Sequence, residues 1–251
     1  MMDAAQRIER ERDFHNQRFV ENNASRESRT RRFYDAIAYG FEGFRQRVTE
    51  ASHGRCVLEY GCGAEIMAFD LAQVAKQVIG IDISDVAIAQ AQHIAGQRAL
   101  QNVKFSVDNA EDMRLADDSV DVVIGAGIVH HLDIEKSMQE LHRVLRKGGT
   151  AIFAEPLGHN PVLNWVRNKT PEMRTPDEHP LLARDLRQMA RGFASSKVVY
   201  FGLVSPLLGL VTSNVKSDRL LTRAVWAIDR ALCRVPGLRR FAWYCYIELR
   251  A

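Results

Sequence analysis

The chain has 251 residues, enough for one sizeable α/β domain with its own buried core. Hydrophobic residues make up 46% and charged residues 26%, the balance of a globular chain rather than a disordered one, and a net charge of +3 is too small to call for nucleic acid or an anionic membrane as partner. The longest apolar run, 203–211, is broken by Pro206 and is too short to span a bilayer.

Residues 1–50 form a charged segment of helical pattern. Phe33, Tyr34, Ile37, Phe41 and Phe44 recur at helical spacing and give it an apolar face. That face either caps the core or closes as a lid over a ligand. The cluster Arg26, Arg29, Arg31 and Arg32 reads as a solvated helix face. Strands and helices then alternate. The pattern predicts strands over 55–60, 78–82, 103–107, 120–126 and 150–155. Helices are predicted over 66–75, from the Ser84 cap through Ala99, and over 134–146, the last ended by Gly148-Gly149. From Pro156 a proline-rich insertion begins. Beyond it the pattern predicts a helix over 181–192, a strand over 197–201, a helix over 217–235 with Leu221, Val225, Ile228 and Leu232 on one face, and a last strand over 241–249. Short apolar runs alternating with helices imply a parallel sheet covered on both sides. The fold expected is a Rossmann-like, doubly wound, mostly parallel seven-stranded sheet with an antiparallel last strand, N-terminal helices and an inserted helical cap. Residues 51–251 form that domain, with 156–192 and 203–236 as insertions on the substrate side.

The most informative stretch is Val57-Leu58-Glu59-Tyr60-Gly61-Cys62-Gly63, followed by Gly80-Ile81-Asp82-Ile83-Ser84. An apolar strand ends in a glycine loop, and a second ends in an acid about 20 residues later, as a nucleotide-binding βαβ unit requires. Asp82 there can accept both ribose hydroxyls of an adenosine. The dinucleotide fingerprint needs a third glycine where this chain has Ile66, which argues against a pyrophosphate ligand and a nicotinamide-dependent oxidoreductase.

The segment resembles the first motif of class I S-adenosylmethionine-dependent methyltransferases, with Glu59, Gly61 and Gly63 matching and Glu65 replacing the usual third glycine. Asn109-Ala110-Glu111, Asp117 to Val123, and Leu145 to Thr150 resemble later motifs of that family in the same order. The resemblance implies S-adenosyl-L-methionine as cofactor, held by Glu59, Gly61, Cys62, Gly63, Asp82, Ile83, Asn109, Ala110, Glu111, Gly125 and Ala126. It implies that Ile83 packs on the adenine, that Ala110 and Glu111 lie near its edge, and that Gly125 and Ala126 line the methionyl side. Members that methylate amide or base nitrogens usually carry an Asn/Asp-Pro-Pro-Tyr/Phe segment after the fourth strand. Here that place reads Gly125 to His130, so DNA or glutamine N-methylation is not expected.

Methyl transfer to O–H, N–H or C–H also needs a base. Candidates at the carboxyl ends of the strands are His130, His131, Glu155, His159 and His179, with Asp177 beside the last. Each has a structural alternative: packing on the cofactor for the histidine pair, a cap on the insertion for Glu155, a brace on a proline-rich loop for His159 and His179. Glu155, His159, Asp177 and His179 match no metal-binding spacing, and no metal is expected. Leu203, Leu207, Leu208, Leu210 and Val211 suggest a small, partly apolar metabolite as acceptor, a peripheral membrane contact, or plain core and dimer packing. The four cysteines, Cys56, Cys62, Cys233 and Cys245, have no paired spacing, and the charged first 20 residues are unlike a signal peptide, so a cytoplasmic enzyme is expected, as monomer or homodimer. The alternative activity is none: an S-adenosylmethionine-binding partner protein without turnover, the reading that Glu65 and Asn109 keep open.

Overall fold

A computed structural model describes residues 4–21, 31–63, 67–169, 175, 178–212, 215–216 and 219–251. Glu65, Ile66, Asp177, Arg26 and Arg29, singled out above, lie outside the described residues. The apolar β-branched runs form one seven-stranded sheet in the order β3-β2-β1-β4-β5-β7-β6. Its strands are β1 (Cys56–Tyr60), β2 (Gln77–Asp82), β3 (Val103–Val107), β4 (Val120–Ala126), β5 (Leu145–Pro156), β6 (Ser195–Phe201) and β7 (Tyr244–Arg250). The first five pair in parallel, and β7 runs antiparallel to both β5 and β6. The helices are α1 (Ala4–Glu21), α2 (Ala38–Ser52), α3 (Asp85–Gln97), α4 (Ile134–Val144), α5 (Pro161–Asn168), α6 (Ala183–Met189) and α7 (Leu220–Leu232).

Period-two alternation explains why both faces need helices. In β1, Val57 packs into the layer of Phe44, Val48 and Ile88, while Leu58 and Tyr60 pack into the opposite layer with Leu141, Leu186 and Met189. In β4, Val122 and Ile124 face the first layer and Val123 the second. Caps fix where the connecting helices start. Ser84 Oγ accepts the Ala87 amide at 3.0 Å, and Asp133 accepts those of Glu135 and Lys136.

Three expectations are corrected. The helix after the glycine loop is described only over Ala68–Leu71, shorter than the predicted 66–75. The helix before β5 ends at Val144, not at Gly148-Gly149. Asp118 and Ser119 amides take the carbonyls of Arg143 and Val144, and Leu145 pairs with Val120. The next pairing is Val122 with Thr150, so the intervening residues, with Gly148 at φ +77°, form an irregularity inside β5 rather than a helix cap. Helix α7 buries Thr222, Trp226 and Asp229, with buried Cys233 at its end, while Leu221 and Ile228 of the predicted apolar face are exposed.

The buried Asp229 explains that rotation. Its Oδ1 accepts the amides of Val204 and Ser205 at 2.5 and 2.8 Å. Its Oδ2 accepts that of Gly202 at 2.9 Å and the Tyr39 hydroxyl. The carboxylate therefore ties α7 to the turn after β6 and to α2, and the helix turns to deliver it.

All four cysteines are free thiols. No helix among the described residues is long and apolar enough to cross a membrane.

Candidate active site

The strand order reverses between β1 and β4, where an open α/β sheet leaves a crevice at its carboxyl edge. A cavity of about 490 Å³ lies there. Its floor is Glu59, Gly61, Cys62, Gly63, Asp82, Ile83, Asn109, Ala110, Glu111 and Ala126, ten of the eleven residues expected to hold the cofactor. Gly125 does not line it. A Cβ at Gly125 would come within 2.8 Å of Ile128 and 2.9 Å of Phe153, so this glycine serves close packing beneath the loop.

The glycine loop is shaped from two sides. Gly61 and Gly63 both have φ +56°, and a Cβ at Gly61 would sit 2.6 Å from the Ile128 side chain. Asp82 Oδ2 accepts the Gly63 amide and Oδ1 the Ser84 amide, both at 2.8 Å. One carboxylate thus fastens the loop after β1 to the end of β2. Glu59 accepts the Met67 amide at 3.0 Å and the Ala68 amide at 2.8 Å, holding the far end of the loop. Burial pushes its carboxyl up to about 7, opposed by those two amides. Burial also pushes the Cys62 thiol well up, which keeps it protonated and unreactive. Asn109 Oδ1 accepts the Glu111 amide at 3.0 Å.

These residues fit an adenosyl ligand. The loop has no Cβ where the backbone must approach it. Each oxygen of Asp82 carries one hydrogen bond from a backbone amide and keeps a lone pair for a ribose hydroxyl.

The roof comes from within the segment 1–50, but from residues that the sequence does not single out. Helix α1 places Arg7, Ile8, Glu11, His15, Arg18 and Phe19 on the cavity, a stripe at helical spacing. Arg7 Nη2 reaches both oxygens of Glu111 at 2.5 and 2.6 Å, and its Nη1 donates to the His131 carbonyl at 2.9 Å. Farther along, Asn16 bonds Asp85 and Ser84 at 2.7 and 2.6 Å. The spacing 7, 11, 15, 18 was the available signal. That stripe is polar, and helical periodicity is conspicuous in a sequence only where the stripe is apolar. Of the apolar stripe from Phe33 to Phe44, Phe41 and Phe44 also line the cavity, from α2.

The loop 127–131 closes the remaining side. Glu155, fully buried at the end of β5, accepts the amides of Ile128 and Val129 on Oε1 at 3.0 and 2.9 Å, and His130 Nδ1 on Oε2 at 2.7 Å. His130 is buried behind the wall, its Nε2 3.9 Å from Glu178 Oε1. His131 lines the cavity, with Nδ1 3.2 Å from Glu11 Oε2 and its ring edge-on to His15. Burial works against ionisation of Glu11, but contacts from His131, His15 and the Thr175 hydroxyl outweigh it and hold the carboxyl well below its ordinary range.

His159 and His179 stand elsewhere. His159 Nε2 accepts the Ala183 amide at 2.9 Å, capping α6, and the His179 amide donates to the His130 carbonyl at 3.0 Å. Neither lines the cavity, and neither do Leu203, Leu207, Leu208, Leu210 or Val211. Leu207, Leu210 and Val211 are exposed.

Residues 58–153 match a family model described as a methyltransferase domain. An uncharacterised methyltransferase of Bacillus subtilis, YcgJ, is 26% identical over 146 residues, 57% of each chain. A demethylmenaquinone methyltransferase of Chlorobaculum parvum is 34% identical over 110 residues, 43% of this chain and 44% of that one. The alignments thus span about half the length of these relatives. Among solved structures, an S-adenosylmethionine-dependent methyltransferase of Thermotoga maritima superposes with a TM-score of 0.60 over 94% of this chain and 98% of that one, at 18% identity, a likeness of fold.

Proposed function

This chain belongs to the class I S-adenosylmethionine-dependent methyltransferase family, with S-adenosylmethionine as its cofactor, and on that premise we propose that it methylates a small, partly apolar metabolite by in-line displacement. The nicotinamide alternative falls with that membership. The cofactor supplies an activated methyl group on a good leaving group; the chain's task is to position, to exclude water and to take a proton.

Asp82 takes the ribose hydroxyls, Ile83 and Ala110 flank the adenine, and the Gly61–Gly63 backbone runs along the body of the ligand. Ala126 and the start of the loop 127–131 stand at the methionyl end. The acceptor lies between that loop and α1, its apolar part against residues such as Phe19, Phe41 and Ile128, all of which border the cavity. His131 is the base, because it is the imidazole of the pair that faces the cavity. His130 and Glu155 act through it. The buried pair, together with the two amides bound to Glu155, fixes the loop that carries His131.

The observation that carries this reading is the meeting of His131 and the glycine cradle in one cavity. Its test has two stages. S-adenosylhomocysteine is titrated by calorimetry into wild type and His131→Ala, and labelled methyl donor is then supplied with a panel of apolar hydroxy, amino and quinol acceptors. The proposal expects binding in both proteins and turnover lost only in the variant. Binding without turnover on any acceptor class would instead support a non-catalytic cofactor-binding partner.

A further inference from the structure

Glu11, His15 and His131 converge in a way that simple ion pairing does not explain. Glu11 Oε2 lies 3.2 Å from His131 Nδ1 and 3.6 Å from His15 Nε2, and one ligand atom from each of the three residues falls within 4.8 Å of the others. Glu11 is only 3% exposed. Yet neither of its oxygens, nor His131 Nδ1, nor the Thr175 hydroxyl beside them, makes an aligned hydrogen bond. A buried carboxylate with both oxygens unaligned is costly unless something else meets its lone pairs. The three ligand atoms therefore lie within 4.8 Å of one another with no aligned hydrogen bond joining Glu11 to either imidazole.

We propose that this cluster is a divalent metal site for a borderline cation of the zinc class. Two imidazoles and one carboxylate are a ligand set that zinc accepts with one position left open. Bond lengths near 2.0–2.1 Å in tetrahedral geometry place ligand atoms about 3.4 Å apart. The two measured separations, 3.2 and 3.6 Å, bracket that spacing. Glu11 and His15 are four residues apart on one face of α1, and His131 comes from the loop after β4, so a bound ion pins the N-terminal helix to the sheet. The centre borders the cavity, because all three residues line it. The open position is therefore available to an oxygen or nitrogen of the acceptor. Metal binding stands whether or not the methyl-transfer reading holds; only the role of the ion at the acceptor rests on that reading: with Nδ1 of His131 on the ion its Nε2 keeps a proton, so in the loaded protein the ion, in place of the imidazole, would favour the deprotonated acceptor.

Neither residue on α1 was a candidate ligand in the sequence, and two of the set considered there have other partners. Glu155 is committed to His130, and His159 to the Ala183 amide.

The test uses the full chain stripped with a chelator. Zinc is titrated by calorimetry into wild type, Glu11→Gln, His15→Ala, His131→Ala and, as a distant control, His142→Ala, with circular dichroism confirming that each is folded. His142 lies on α4, stacked on Phe193, and does not line the cavity. One equivalent is expected to bind wild type and the control, with affinity falling about 100-fold or more in each ligand variant. Cobalt in place of zinc is expected to give the visible absorption of a tetrahedral N/O site in wild type and to lose it in His15→Ala. Wild type binding zinc no more tightly than His15→Ala would overturn the proposal and leave the cluster as a charged latch. S-adenosylhomocysteine titrated into the same stripped samples separates the two readings. Its failure to bind would count against the cofactor cavity and not against the metal site.

Discussion

Glu59 makes the glycine loop sensitive to pH in a direction opposite to most carboxylates. In the unfolded chain its proton leaves near 4.5; in the folded protein burial holds the proton up to about 7. Between those values the folded state binds more protons than the unfolded one, so this group's contribution to stability falls as pH rises. Carried across the whole window, the loss is on the order of 3 kcal/mol. The acids held low do not mask it. Glu248, held at about 2 by hydrogen bonds from Arg47 and against its own burial, contributes stability that is complete above about 4.5 and is lost only as pH falls toward 2. Glu59→Gln removes the titration and keeps one acceptor for the Met67 or Ala68 amide. The other amide is left facing an NH₂ group, a penalty of about 1–3 kcal/mol that does not change with pH. Urea unfolding of both proteins at intervals from pH 4.5 to 8 is the assay. The variant is expected to be less stable near pH 5 and to gain on wild type by about 2 kcal/mol between pH 5 and pH 7.5. Parallel stability curves would refute the reasoning, since they would mean that Glu59 releases its proton at the same pH folded and unfolded.

Asp82→Ala removes the proposed ribose acceptor and also the tether on the Gly63 and Ser84 amides. S-adenosylhomocysteine affinity is expected to drop at least about 100-fold by calorimetry, and unchanged affinity would discard the assignment of this strand end. Glu155→Gln is expected to preserve cofactor binding and to lower kcat while shifting its pH profile, because the loop that presents His131 loses its charged anchor; an unaltered profile would assign Glu155 to stability alone. Asp229→Asn places an NH₂ group against backbone amides and is expected to cost about 3 kcal/mol by denaturant unfolding without changing cofactor affinity. Gly40→Ala would set a Cβ 2.1 Å from the Phe201 ring and is expected to destabilise by about 1–3 kcal/mol.

The sheet was legible because each strand is a short apolar run with turn chemistry on either side. The strands at 103–107 and 120–126 were placed to the residue, and Ser84 announced its helix by type and position. The end of α4 was not legible. Arg146-Lys147-Gly148-Gly149 has the composition of a helix stop, and only the pairing of Leu145 with Val120 reveals that the strand has already begun. The buried face of α7 is not legible in the sequence for a related reason. The leucine stripe has the stronger apolar periodicity, but Asp229 has five polar partners waiting in the turn after β6 and on Tyr39, and those decide the rotation. At the site, the cradle was readable because its residues fall in short local motifs at strand ends. The roof was not, because Arg7 meets Glu111 across 104 residues, and no local pattern links them.

The matched family segment, 58–153, contains the cradle and the loop of His130 and His131 but none of α1. The cavity is therefore assembled from the matched segment and from α1 and α2, which lie outside it and under different constraints. The cradle must suit one invariant donor, whereas the roof can change with whatever enters beneath it. Rewriting the inward stripe of a single helix, 7 to 19, would then redirect the chemistry of the pocket while leaving every strand of the sheet untouched.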